Sequence, residues 1–321
     1  MGKPLYRFRE INNNSINSFM SDEIYGTTPD HFNDPYDAIF NCDYDILFDR
    51  FINDDEIRKI MSDIVYNEII IEKKSFTKIE AEELITNKEF MRPWIKQNVL
   101  TIVAILRRQM VISSFCDKVT KEIMWSHYTN YGSGFALEYD EDDILKLRND
   151  YIANYKSKHP FAYSNYDYFG LKQVDYSANR LDGTNLAFVQ ISEMFRRYSP
   201  NKISVSQKKY ELDEKNFKSL VLHKDKSWEY EDEIRLVLPN ENENVSFAMV
   251  GKVRPKAVYL GEFISFNDMY LICSIAKTKS IPVYAMISSL EKKRFGLKKR
   301  VITENELDEI LNEFKKINFY E

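Results

Sequence analysis

Glycine is scarce in this chain, with 9 in 321 residues, against a usual share of roughly 7%. No GxxxxGK(S/T) segment occurs, and no GxGxxG opens a helix. Phosphate-cradling loops of the P-loop and Rossmann kinds are therefore excluded. HExxH and GxSxG are missing as well, which removes the corresponding zinc-protease and hydrolase signatures. Cysteine is nearly absent: Cys42, Cys116 and Cys273 lie far apart with no CxxC. They read as reduced structural thiols, and no metal is expected. Long apolar runs are lacking too. The longest, Val99 to Leu106, is interrupted by Thr101 and is far short of a bilayer span. The opening MGKPLYRFRE does not read as a signal peptide. A cytoplasmic protein with no membrane partner is expected.

What is present fits a folded chain. Hydrophobic residues make up 44%, aromatic 14% and charged 30%, which excludes disorder and collagen-like or coiled-coil composition. Lys+Arg 45 against Asp+Glu 50 gives a net charge of −5. The global balance gives no drive toward nucleic acid or anionic membrane.

Strand and helix patterns alternate unevenly. Leu5, Arg7 and Arg9 alternate with Tyr6 and Phe8, which reads as an edge strand. A short Asn/Ser-rich helix and a strand near Glu23–Thr28 follow. From Tyr44 to Arg108 the period turns helical: Ile57, Ile60, Met61 and Ile64 follow the acidic cap Asp54-Asp55-Glu56. Strands are expected at Met110–Cys116, Gly134–Tyr139, Glu233–Leu238, Val245–Val250, Ala257–Leu260 and Ile281–Met286. Lys172–Tyr176 is a weaker strand candidate. Helices are expected at Lys121–Tyr128, after Asp140, at Asn185–Tyr198, Asp213–Leu222 and Ser265–Ala276, and after the Thr303-x-x-Glu306 capping signal. The order predicts one α+β domain over 1–321, with a helical insertion at 44–108.

Four clusters hold the candidate chemistry. Arg7 and Arg9 share a strand face, where two guanidinium forks suit a phosphate or carboxylate; a solvated edge explains them equally well. Phe32-Asn33-Asp34-Pro35-Tyr36-Asp37 is turn chemistry, unless Asn33 and Asp34 project into a pocket as ribose or phosphate ligands. Met124-Trp125-Ser126-His127-Tyr128 reads as helix-borne core, with a Gly132-x-Gly134 turn that permits close backbone approach to a ligand. The last cluster is Lys224-x-x-x-Trp228-x-x-Glu231-x-Glu233-x-Arg235. In an extended strand its two carboxylates and guanidinium share one face. That arrangement is either an Arg–Glu ladder or a catalytic group.

In this order the four motifs, with Tyr6-x-Phe8-Arg9 and Gly134-Phe135, resemble the bacterial domain-of-unknown-function family 2971. The resemblance spans essentially the whole chain, and members resemble prophage and defence-island proteins. A weaker resemblance adds chemistry: Glu233-Ile234-Arg235-Leu236-Val237 looks like the catalytic glutamate strand of DNA-modifying ADP-ribosyltransferase toxins. It implies a mixed, split-sheet core and an NAD-consuming toxin or antiviral defence effector. NAD is then the substrate and an unknown macromolecule the acceptor, with a cognate antitoxin or defence-system partner. Glu233 would hold the ribose and stabilise its developing positive charge, and Glu231 would orient or deprotonate the acceptor. Arg9, Asn33, Asp34, Trp125, His127, Tyr128 and Arg235 would bind NAD, with Arg9 on its phosphates and Trp125 or Tyr128 on nicotinamide. Arg9 and Glu233 are expected to flank one cleft. Two alternatives remain open: a Mg²⁺ nuclease using Asp34, Glu231 and Glu233, and a non-enzymatic interaction or sensor module.

Overall fold

A computed structural model describes residues 2–160, 166–198, 220–289 and 296–318. The chain divides into two compact units, one of 1–31, 109–174 and 227–321 and the other of 32–108 and 175–226. The expected single domain with an insertion at 44–108 thus meets a second unit drawn from two stretches of sequence. The reason lies in aromatic packing between these two stretches.

The first unit is built on a ten-stranded sheet. Its strands are β1 (Pro4–Arg9), β2 (Glu23–Thr27), β3 (Met110–Cys116), β4 (Phe135–Asp140), β5 (Gly170–Gln173), β8 (Glu233–Pro239), β9 (Phe247–Lys252), β10 (Ala257–Leu260), β11 (Val283–Ser288) and β12 (Leu297–Ile302). The order runs β12-β11-β10-β4-β1-β3-β2-β9, with β8 joined to β3 and β5 joined to β8. Only β10 and β11 pair in parallel within it, so the sheet is mixed and the class is α+β. The connection between those two strands is the helix Phe266–Lys279, capped by the Ser265 side chain, as a parallel crossover requires.

The sheet forks at β3. One edge of β3 pairs with β8 along its whole length. The other edge is shared, with Cys116 opposite Tyr6 of β1 and Ile112 opposite Thr27 of β2. β1 is therefore an interior strand with partners on both sides, not the edge its alternating arginines suggested. Alternation reports two faces, whereas edge position depends on strands more than a hundred residues away. The helix α6 (Glu122–Tyr128) covers one face, where Met124, Trp125, Tyr6, Phe8, Cys116, Ala136 and Tyr259 form a buried cluster. On the opposite face, Phe19 of α1 (Asn13–Ser21) packs on Phe135 with ring centroids 5.9 Å apart.

The second unit contains α2 (Tyr44–Asn53), α3 (Asp55–Ile70), α4 (Lys78–Thr86), α5 (Lys88–Arg108) and α8 (Thr184–Tyr198), with the parallel pair β6 (Asp175–Ser177) and β7 (His223–Asp225). Ile57, Ile60 and Met61 are buried as their spacing predicts. The helix α8 supplies Phe188 and Phe195, whose rings lie 5.2 and 6.0 Å from Phe51. Trp94 stacks on Phe195 at 5.1 Å. The buried Arg196 forks onto Glu56 with two 3.2 Å bonds. These contacts tie 184–198 to the helices of 44–108. Most of the expected helix Asp213–Leu222 lies outside the described residues.

Candidate functional site

Asp232 adopts a left-handed conformation, φ 41°, and separates two different environments. Before it, the 3₁₀ turn Lys226–Glu231 ends on a buried Glu231. After it, β8 begins at Glu233. The extended strand expected through Glu231 therefore starts two residues later, and Glu231 reaches its place from a turn. An Asp at positive φ tolerates this bend better than a branched residue would.

The two carboxylates are held by different donors. Arg235 donates from Nε and Nη2 to the two oxygens of Glu233 at 3.0 and 2.9 Å. Both groups are buried, the guanidinium fully. Positions i and i+2 of a strand share a face, so this is the Arg–Glu ladder within one strand. Glu231 instead accepts a hydrogen bond from the hydroxyl of Tyr128, at the end of α6. At the other end of α6, its N-cap residue Lys121 reaches the Tyr230 carbonyl at 3.3 Å and also pairs with Asp232. The exposed His127 ring meets the Tyr230 hydroxyl at 3.0 Å, and Tyr230 lies 6.1 Å from the half-buried Trp228. The helix α6 is thus tied to the start of β8 at three points: Lys121, His127 and Tyr128.

Strand register decides which expected site residues share a face. Glu233 is opposite Cys116, and Cys116 is opposite Tyr6. Directly paired residues project to the same side of a sheet, and neighbours along a strand to opposite sides. Glu233, Arg235, Tyr6 and Phe8 therefore face α6, while Arg7 and Arg9 face away from it. The single cleft flanked by Arg9 and Glu233 does not form, and Arg9 cannot anchor a ligand bound against Glu233. Trp125 is also corrected. Its indole N–H bonds the Val119 carbonyl at 2.6 Å, its ring packs edge-on against Phe8 at 5.2 Å, and it is 4% exposed. It is core and offers no stacking face. The Gly132-x-Gly134 turn serves the chain itself: a Cβ on Gly134 would lie 2.1 Å from the Arg9 carbonyl oxygen.

Asn33 and Asp34 belong to the second unit. The Asp34 side chain accepts the Tyr36 N–H at 2.9 Å, and the Asp37 N–H bonds the Asp34 carbonyl at 3.1 Å. That is the Asx-type turn which Asn-Asp-Pro chemistry favours. The same loop places the buried Asp37 3.9 Å from the buried Lys224, a pairing that sequence reasoning did not assign. Lys121, Asp232 and Tyr230 were missed as well, since single polar residues in turns carry no periodic signal. Among the described residues no group of three or more His, Cys, Asp or Glu is arranged to hold a metal ion. Among the described residues no helix is long and apolar enough to cross a membrane.

A mixed α+β protein with a buried acid pair beneath a short aromatic helix is the class these features define. Residues 124–236, about a third of the chain, match the family model described as "Protein of unknown function (DUF2971)". The matched stretch begins within α6 and ends within β8, so both halves of the acid site lie inside it. No curated protein and no solved structure matches the chain.

Proposed function

We propose that the protein is an NAD-dependent ADP-ribosyltransferase-like enzyme, acting as a toxin or antiviral defence effector. The observation that carries this reading is the pair Glu231 and Glu233. Both are buried on either side of the Asp232 bend, Glu231 accepting from Tyr128 and Glu233 from Arg235. Cleavage of the ribose–nicotinamide bond releases nicotinamide with the bonding electron pair and leaves positive charge on the sugar. A fixed carboxylate stabilises that charge as it develops. Glu233, kept ionised and oriented by Arg235, takes this part. Glu231 accepts the proton of the acceptor nucleophile as the nucleophile bonds to the sugar carbon. Tyr128 holds Glu231, and the His127–Tyr230 pair forms the accessible aromatic rim. Arg235 is the guanidinium on this face; Arg9 is not.

The test is nicotinamide release from NAD by the purified full chain, with calorimetric NAD binding alongside. Release by the wild type and its loss in Glu233→Gln support the reading. A wild type that neither binds NAD nor releases nicotinamide overturns it.

A second reading, a non-enzymatic interaction or sensor module, draws on specific observations. Trp125 and Glu233 are 4% and 6% exposed, and each has its hydrogen-bonding groups engaged. On that reading Glu233→Gln lowers the melting temperature, and wild type and variant are equally silent toward NAD.

A further inference from the structure

Arg7 and Arg9 lie on the face of β1 opposite the acid pair, and no carboxylate pairs with either among the described residues. Arg7 is 8% exposed. Its partners are the Tyr25 carbonyl, which accepts from Nη2 at 3.0 Å, and the Phe115 ring, 5.4 Å from the guanidinium carbon. A guanidinium carries five N–H donors, and those not bonded to Tyr25 remain open to solvent or to a ligand. Arg9 is half-buried beside it. Burial pushes the Arg7 pKa down to about 9, and the adjacent Arg9 charge pushes the same way. Burial lowers Arg9 too, and Tyr139 is the group that offsets both. The Asp22 carboxylate, whose field reaches Tyr139, is itself paired with Lys279 at 2.7 Å.

Two adjacent cations partly withdrawn from water repel each other and lose part of their hydration, a combination that a bound anion stabilises. The location is the fork of the sheet, where β1 and β2 leave the same edge of β3. There the backbone spreads instead of closing a ladder. Two guanidinium forks with a phenolic hydroxyl nearby match a tetrahedral oxyanion. A carboxylate would leave one positive charge uncompensated, whereas a phosphate monoester carries about −1.5 to −2 and balances both.

We propose that Arg7 and Arg9, with Tyr139, form a binding site for a phosphate group at the fork between β1 and β2, on the sheet face opposite Glu233. The half-buried Arg9 is its opening to solvent. This site is independent of the acid pair and of the reading given to it above.

Thermal unfolding of the full chain tests the proposal, in inorganic phosphate against chloride at equal ionic strength, with AMP and NAD as further arms. Phosphate well above its Kd should raise the wild-type Tm by roughly 2–4 °C or more. Arg9→Met should weaken phosphate affinity about tenfold or more by removing a charge-assisted fork. It should also leave the phosphate-free Tm unchanged or higher, because it removes an uncompensated charge. Arg7→Met should do the same more strongly, and Arg9→Met carries the test if Arg7→Met fails to fold. A response to inorganic phosphate identifies free phosphate as sufficient, and a response to AMP or NAD alone identifies a nucleotide phosphate. Either result supports the site when Arg9→Met weakens it. A wild type whose Tm moves no more in any phosphate arm than in chloride overturns it, as does an equal response in Arg9→Met. Nicotinamide release by Arg9→Met, measured in parallel, separates this outcome from failure of the enzymatic reading.

Discussion

Arg235 reaches back two residues along its own strand to hold both oxygens of Glu233, at 3.0 and 2.9 Å, with the guanidinium fully buried and the carboxylate side chain 7% exposed. A buried, two-point ion pair of this kind fixes a carboxylate in position and keeps it charged. It also makes each partner dependent on the other. Removing one takes this two-point pairing from a charge in the interior, at a cost of about 3–5 kcal/mol.

That dependence separates two variants. Arg235→Met should lose about 3–5 kcal/mol of stability, read by urea unfolding. Glu233→Gln keeps an amide oxygen toward the guanidinium and should lose less. If Glu233 stabilises the sugar cation, turnover in Glu233→Gln should fall by on the order of 10²–10³-fold, assayed well below its melting temperature with NAD affinity retained. Equal nicotinamide release by Glu233→Gln and wild type would remove Glu233 from the chemistry.

Tyr128 gives a second, independent handle on the acid pair. Tyr128→Phe deletes the hydroxyl that donates to Glu231 while keeping the ring against the sheet. A buried acceptor left without its donor costs about 1–3 kcal/mol. Lys121→Met should free Asp232 and the Tyr230 carbonyl and loosen the same bend. If Glu231 handles the acceptor proton, both variants should depress turnover more than NAD affinity, shown by a fall in kcat at nearly constant KM. A change confined to KM would assign these residues to substrate binding instead.

The regular elements were legible in the sequence because their cores are periodic. Ile57, Ile60 and Met61 announced α3, the Thr303-x-x-Glu306 signal gave the capping pair now seen at 2.8 and 3.3 Å, and Met110–Cys116 read as a buried strand and is one. Faces within a strand were legible too: Arg7 and Arg9 do oppose Tyr6 and Phe8. The relation between strands was not. Whether Arg9 and Glu233 share a face depends on Cys116, an unremarkable residue that meets both Tyr6 and Glu233 in register. The β12 strand went unread because Leu297-Lys298-Lys299-Arg300-Val301-Ile302 has three successive cations and no alternation. Asp232 carries no periodic cue, yet its positive φ decides that Glu231 lies in a turn.

Tyr6 predicts an alkaline limit to stability. Burial, reinforced by the Glu138 charge, pushes its pKa from 10.0 up to about 12, and Tyr259, hydrogen-bonded to Glu138, is raised for the same causes. In the unfolded chain both ionise near the ordinary value. The folded state therefore binds more protons between pH 10 and 12. The stability Tyr6 contributes is complete below pH 10 and is lost as pH rises through 12. Arg7 acts in the opposite sense, since a lowered guanidinium pKa relieves its penalty as pH rises above about 9. Thermal melts from pH 8 to 12 in an Arg7→Met background should isolate the tyrosines. Tyr6→Phe in that background should flatten the fall above pH 10, and an unchanged slope would exclude Tyr6 as its source.

The second unit carries its own test in Asp37 and Lys224, 3.9 Å apart with the carboxylate side chain at 0% and the amine at 3% exposure. They join the Asn-Asp-Pro loop to β7, which pairs with β6, and so form a buried contact between segments far apart in sequence. At 3.9 Å the pair is loosely apposed, and its attraction offsets the loss of hydration only in part. Each charge nonetheless needs the other. Asp37→Asn and Lys224→Met should each destabilise the protein by about 3–5 kcal/mol, the cost of stranding a buried charge. The double variant Asp37→Leu with Lys224→Met should recover most of that loss, because an apolar pair of similar volume pays no desolvation. A double-mutant cycle by urea unfolding measures the coupling directly. Additive losses, with no recovery in the double variant, would show that each residue is held by its other contacts and that the ion pair contributes nothing of its own.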